Sequence, residues 1–256
     1  MRRDWHDREF RKFVALGEST TAGGWSSNRE RCWVSRLAQL IDDIQEKPVE
    51  TLNAGIGANL ISRHSPAYQV SGQPAADTRL HRHVIRERPD LLVISYGLND
   101  ARGGTPLALF CDAMVSLVRR VRAKIDPVIV LPGPYFMTDF TVGGEDWSHA
   151  SLDIFAAYNQ AIAQVAAAED CLFADLLDAY GGAGWMVHYD GCHANDLGHR
   201  IVANRIFEVL AQNCSGLARW TKSQERAIPR WRDESCLKTG FADRSVGPGL
   251  LPGRNR

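Results

Sequence analysis

Three groups of residues in this 256-residue chain could share one reaction. Ser19 sits in Gly17-Glu18-Ser19-Thr20, a small hydroxyl at the head of a Gly/Ser/Thr turn. Asp190 and His193 lie three apart in Asp190-Gly191-Cys192-His193, so both can face one site while bonding each other. Asn99 occupies the polar turn Gly97-Leu98-Asn99-Asp100, and Gly57 and Ala58 fall in the glycine-punctuated stretch from Asn53 to Asn59. Acyl transfer needs a nucleophile, a base, a group that orients the base, and donors for the oxyanion. Ser19 would attack, His193 would take its proton and return it to the leaving group, and Asp190 would orient His193. The oxyanion would be held by the Ser19 N–H, the Asn99 amide and one N–H of the Gly57/Ala58 turn. Gly57 is the preferred donor, because Ala restricts φ.

Each of these residues also has a plainer reading. A Ser in such a turn commonly caps a helix, and Asn99-Asp100 could bond their own backbone. His188 shares the last loop with His193 but has no acid three residues before it. His64, His81, His83, His149 and His199 are expected on surfaces or helices, and no pair has metal-ligand spacing. Asp175 and Asp178 are expected to shape a strand end. Trp185 and Met186 are expected in the core rather than in an acyl pocket.

The elements that must position these residues follow from hydrophobic periodicity. Apolar runs at 13–16, 49–53, 90–96, 127–131 and 171–174 read as strands, the third nearly continuous as in a central parallel strand covered on both faces. Between them, Trp33, Leu37, Leu40, Ile41 and Ile44 recur at helical steps, as do Leu107, Phe110, Met114, Leu117 and Val121. Polar 76–88 and the stretch 151–168 complete the crossovers. Asn195 can cap a last helix burying Leu197, Ile201, Ile206, Val209 and Leu210. Alternating strands and helices imply right-handed crossovers and a three-layer α/β/α, flavodoxin-like domain with a five-stranded parallel sheet. Every loop that leaves a strand then meets at one edge, where Ser19, Gly57, Asn99 and the Asp190/His193 loop can converge.

Composition narrows the function classes. Lys+Arg and Asp+Glu are equal at 30 each, so no global field favours nucleic acid or an anionic membrane. The first ten residues are too polar for a signal-peptide core and no run reaches spanning length, so a cytoplasmic protein without a membrane span is expected. The six scattered cysteines read as free thiols. Neither a metal nor an organic cofactor is expected, and the oligomeric state is left open. Residues 132–149 form a long turn-rich loop with Tyr135, Phe136, Phe140 and Trp147, either substrate-facing or a packed lid. Residues 1–12 read as an extension, 13–213 as the domain, and 214–256 as a basic Gly/Pro/Arg-rich tail. That tail wraps the domain or stays disordered, with Trp220, Trp231 and Phe241 able to stitch it down.

The chain resembles the SGNH hydrolases of the GDSL esterase/lipase superfamily. Gly17-Glu18-Ser19-Thr20, Asn53-Ala54-Gly55-Ile56-Gly57, Gly97-Leu98-Asn99-Asp100 and Asp190-Gly191-Cys192-His193 match its four blocks in order, each on the right strand end. The resemblance spans about 13–210. Glu18 stands where the family usually carries Asp, with little loss expected, and Ala58 stands where it commonly has its oxyanion glycine. What the resemblance implies is a serine esterase working through an acyl-enzyme on a small-molecule, sugar or lipid ester, with a small or short acyl group favoured. The same site could instead transfer the acyl group to another alcohol, or persist in a silent binding domain.

Overall fold

A computed structural model describes residues 3–227. The five apolar runs become strands β1 (Lys12–Gly17), β2 (Glu50–Gly55), β3 (Leu91–Ser95), β4 (Val128–Pro132) and β5 (Leu172–Ala174). All pair in parallel, in the order β2-β1-β3-β4-β5. This is the flavodoxin-like order, in which the chain turns back between β1 and β3. Every residue of β3 and β4 is buried, as expected of central strands covered on both faces. Burying one such Val, Leu or Ile side chain contributes about 1.5–3 kcal/mol.

Short helices α1 (Ser19–Ala22) and α4 (Leu98–Arg102) leave the ends of β1 and β3, while α2 (Trp33–Asp42) and α3 (Ala76–Leu80) follow the Ser19 turn and the β2 loop. The crossovers continue as α5 (Leu107–Arg122), α6 (Leu152–Ala168), α7 (Leu176–Tyr180) and α8 (Asp196–Asn213), before a terminal α9 (Arg219–Gln224). The expected helix over 76–88 is α3 continued by a wider turn, His81–Ile85. One layer is built on α2 packed against α8, the other on α3, α5 and α6. Trp33, Val34, Leu37 and Ile41 of α2 and Val202, Ala203, Ile206 and Leu210 of α8 are the buried stripes.

His199 lies on a helix, as expected, but is buried there, and its Nδ1 accepts the Trp33 N–H at 3.2 Å, capping α2 in place of a local side chain. Burial pushes it down to about 4, so the ring stays neutral and can accept that bond.

Residues before β1 pack beside the end of α8: Trp5 N–H donates to the Asn213 carbonyl and Asp4 accepts from Ser215 N–H. Cys214 and Leu217 belong to the core. Trp231, Phe241 and the remaining tail expectations lie outside the described residues. Among the described residues no helix is long and apolar enough to cross a membrane.

Candidate active site

The strand-exit loops meet at the C-terminal edge of the sheet. β1 ends at Gly17, Glu18 takes an extended conformation, and its carboxylate accepts the Thr20 N–H, so that Ser19 opens α1. Ser19 Oγ lies 2.9 Å from His193 Nε2, and His193 Nδ1 lies 2.6 Å from Asp190 Oδ2. With the ring proton on Nδ1, Nε2 is free to accept from Ser19, a tautomer assigned from this network. The other Asp190 oxygen accepts the N–H groups of Cys192 and His193, both at 3.0 Å.

The loop that carries this pair is tightly pinned. His188 N–H donates to the His193 carbonyl, Gly191 N–H to the His188 carbonyl, and Val187 bridges Ala194. Gly191 has φ +73°, and a Cβ there would meet Asp139 Cβ at 2.5 Å. Only glycine fits both demands. His188 Nδ1 is 3.6 Å from Asp190 Oδ1, too far for a hydrogen bond, and no bond is described between His188 and Ser19.

Electrostatics favour the resting state that acyl transfer needs. Burial opposes the Asp190 charge, but the backbone donors of His193 and Cys192 and the His193 ring outweigh it and hold the carboxylate at about 2. Burial lowers His193 below its usual 6.5, against the raising effect of Asp190, so at neutral pH the ring is an unprotonated base.

Part of that burial comes from Trp25, which sequence reasoning did not single out. Its ring stacks on His193 with centroids 3.4 Å apart and planes 4° from parallel. The one available signal was an aromatic directly after Gly23-Gly24, in the loop that carries Ser19. Removing the indole admits water to the imidazole and returns its pKa toward 6.5. Trp25→Ala should therefore shift the acid limb of the kcat/KM profile to higher pH, and an unmoved limb would refute this role for the indole.

The proposed oxyanion donors sit close by. Gly57 and Ala58 form the turn closed by Asn59 N–H to the Ile56 carbonyl, and neither of their own N–H groups has a described partner. Ala58 has φ +51° and Gly57 does not take a left-handed φ, so Ala58 occupies the conformation that glycine normally supplies. That costs about 1 kcal/mol. On this geometry Ala58 joins Gly57 as a proposed donor.

Asn99 lies on α4, not in a bare turn, and is buried. Arg102 donates to its Oδ1 at 3.2 Å, which leaves Nδ2 as the outward donor, 3.3 Å from the Asn59 carbonyl. If that amide stabilises the oxyanion, Asn99→Ala lowers kcat by ~10²–10³-fold with KM little changed. A purely structural Asn would instead show as lost thermal stability at unchanged kcat.

Beneath this edge lies Arg79, buried and likewise unpredicted. It donates to the carbonyls of Gly17 and Ala54, to Asn59 Oδ1 and to the Tyr96 hydroxyl, at 2.6–3.0 Å. The trace it left in the sequence is a lone cation beside the otherwise apolar positions Ala76, Leu80 and Val84.

Other expectations resolve as follows. Asp175 caps α7 and Asp178 pairs with Arg205, so both shape that strand end. Trp185 is 74 % exposed, a correction to its expected core place, because its backbone carbonyl rather than its ring is anchored, by Asn195. Met186 packs against the core. In the 132–149 loop Tyr135 is buried, Phe136 packs at a tilt on Tyr180, Phe140 meets Phe155 edge to face, and the Trp147 ring lies 5.7 Å from the Arg102 guanidinium. A groove of about 740 Å³, lined by Ala22, Ser26, Arg29 and Asn53 among others, includes neither Ser19 nor His193 in its walls. Among the described residues no cluster of His, Cys, Asp and Glu is placed to hold a metal.

Residues 15–201 match the model of the GDSL-like Lipase/Acylhydrolase family. The fold is similar to that of a lipase/acylhydrolase from Enterococcus faecalis, at 20% identity and a TM-score of 0.62 over 79% of this chain and 96% of that one. It is also similar to an acetylxylan esterase from Geobacillus stearothermophilus, at 18% identity and 0.61 over 81% and 96%. No curated protein sequence matches.

Proposed function

We propose, from the premise that this chain belongs to the GDSL-like lipase/acylhydrolase family and is a hydrolase of ester bonds, that Ser19, His193 and Asp190 cleave a carboxylic ester through an acyl-enzyme. The observation that carries the reading is the unbroken run from Ser19 Oγ through His193 to Asp190, at 2.9 and 2.6 Å. Ser19 Oγ attacks the ester carbonyl and its proton passes to His193 Nε2. The oxyanion lies among the Ser19 and Gly57/Ala58 N–H groups and the Asn99 amide. Collapse breaks the ester C–O bond, and His193 gives its proton to the departing alcohol. Water then repeats the sequence on the acyl-enzyme.

A small or short acyl group fits this site best. Glu18 is buried against Ser19, and the buried Tyr135 and Cys192 lie near enough to feel its charge, which supports a small pocket behind the nucleophile. The exposed rings of Trp185 and Tyr189 border the same loop as the base and offer faces to the alcohol side of a substrate. A serine-reactive phosphonate should label Ser19, and p-nitrophenyl esters from acetyl to palmitoyl should be hydrolysed with preference for the shortest. Labelling at another residue would overturn the assignment of Ser19, and a long-chain preference the assignment of acyl size.

A further inference from the structure

Glu18 has no part in the steps above, yet it touches the reacting atom. It is fully buried, and its Oε2 lies 2.9 Å from Ser19 Oγ, the same separation at which His193 Nε2 meets that oxygen. Oε2 also accepts the Thr20 N–H at 3.3 Å, whereas Oε1 is buried without a hydrogen-bond partner among the described residues. The Ser19 hydroxyl has a single hydrogen. An ionised Glu18 can only accept, so it would compete with Nε2 for that hydrogen. A protonated Glu18 donates to Oγ instead and leaves the hydroxyl hydrogen for Nε2. Once Oγ is acylated it has no hydrogen at all. A carboxylate would then oppose it lone pair to lone pair, while a carboxylic acid still donates.

We propose that Glu18 works as a neutral carboxylic acid hydrogen-bonded to Ser19 Oγ, directing the hydroxyl proton to His193 and supporting Oγ as the leaving oxygen of deacylation, and that its ionisation turns the enzyme off. This rests on Ser19 being the nucleophile. In attack the C–Oγ bond forms and the Oγ proton moves to Nε2. In deacylation that bond breaks and His193 returns a proton to Oγ. Glu18 keeps its own proton throughout.

The surroundings agree. Burial pushes Glu18 up to about 7, against the lowering effects of the Ser19 and Thr20 bonds and of Arg102. Asp100 on α4 is also raised by burial to about 7, and the two carboxyls disfavour each other's charge. Tyr96 beyond β3, Tyr135 beyond β4, Tyr180 of α7 and Cys192 of the last loop face Glu18 as groups that burial keeps neutral. Arg102 is the cation whose field reaches Glu18, and it favours the ionised form.

The test is the pH dependence of kcat/KM on p-nitrophenyl acetate for wild type, Glu18→Gln, Asp100→Asn and Ser19→Ala. The wild type should rise as His193 deprotonates and fall about tenfold per pH unit above Glu18's ionisation. Gln cannot ionise, but its amide, unlike a carboxylic acid, cannot accept the Thr20 N–H and donate to Oγ from one atom. Glu18→Gln should therefore peak below wild type yet lose the falling limb, its rate relative to wild type rising ~100-fold between pH 7 and pH 9. Asp100→Asn should keep a falling limb, moved to lower pH. A falling limb that survives Glu18→Gln overturns the proposal. An active Ser19→Ala would instead sink the nucleophile assignment beneath it. Infrared titration of Asp100→Asn, in which the second raised carboxyl is gone, is an independent measure: a neutral-carboxyl band should disappear as the pH rises from 5 to 9. Its absence at pH 5 overturns the proposal even if the Gln variant does not fold.

Discussion

Ser19→Ala is expected to lower kcat by about 10⁶-fold, with circular dichroism and thermal unfolding close to wild type. The contrast follows from where Ser19 sits. It opens a single helical turn whose N-terminal cap is the Glu18 carboxyl group, so the Ser19 hydroxyl carries none of the local capping. Ala is the best helix former, and removing one oxygen leaves little void. The loss would therefore be one of chemistry. Residual turnover should still exceed the uncatalysed rate by ~10³–10⁴-fold, because oxyanion donors and substrate binding remain. A variant within tenfold of wild type on p-nitrophenyl acetate would remove Ser19 from the mechanism.

Asp190→Asn should cost about 10⁴-fold in kcat, a large effect for an isosteric change. One oxygen of residue 190 is held by the N–H groups of Cys192 and His193. An Asn must therefore turn its carbonyl into that cradle and its NH₂ toward the imidazole. That NH₂ donates to Nδ1, which forces the ring proton onto Nε2, the atom that must accept from Ser19. The backbone cradle makes the alternative amide orientation unfavourable, since it would leave two N–H groups facing a donor. Initial rates at neutral pH, with proton NMR of the imidazole to read the tautomer, would check both halves. More than a tenth of wild-type activity would show that Asp190 does not set the tautomer.

Much of this was legible in the chain. The sheet was readable because β3 and β4 are uninterrupted apolar runs, and the Ser19 and Asn99 turns were readable because each directly follows such a run. Asp190 and His193 were paired by their spacing alone. Residues whose roles depend on contact rather than on order were not readable in this way. Trp25 matters because its loop folds back over His193, a residue 168 positions away in the chain. Arg79 sits among apolar neighbours because distant carbonyls converge on it. Trp185 looked like core material, and its ring is exposed because the loop is anchored through its backbone. Ala58 defeated composition in the other direction, since its left-handed φ is held by the turn and not chosen by the residue.

The buried guanidinium of Arg79 has a consequence for how the site comes into being. Its acceptors belong to the end of β1, the end of β2, the turn after β2 and the residue after β3. All of them are backbone carbonyls or neutral side chains, and the guanidinium also lies 3.3 Å from Nδ1 of His83, its neighbour one helical turn on. The full set of bonds forms only when three strands have docked in register. A cation buried before they arrived would lack its acceptors. Partial assembly of the catalytic edge is thus penalised, and that edge should appear and disappear together with the sheet, as one cooperative unit rather than a late-forming, separately frayed rim.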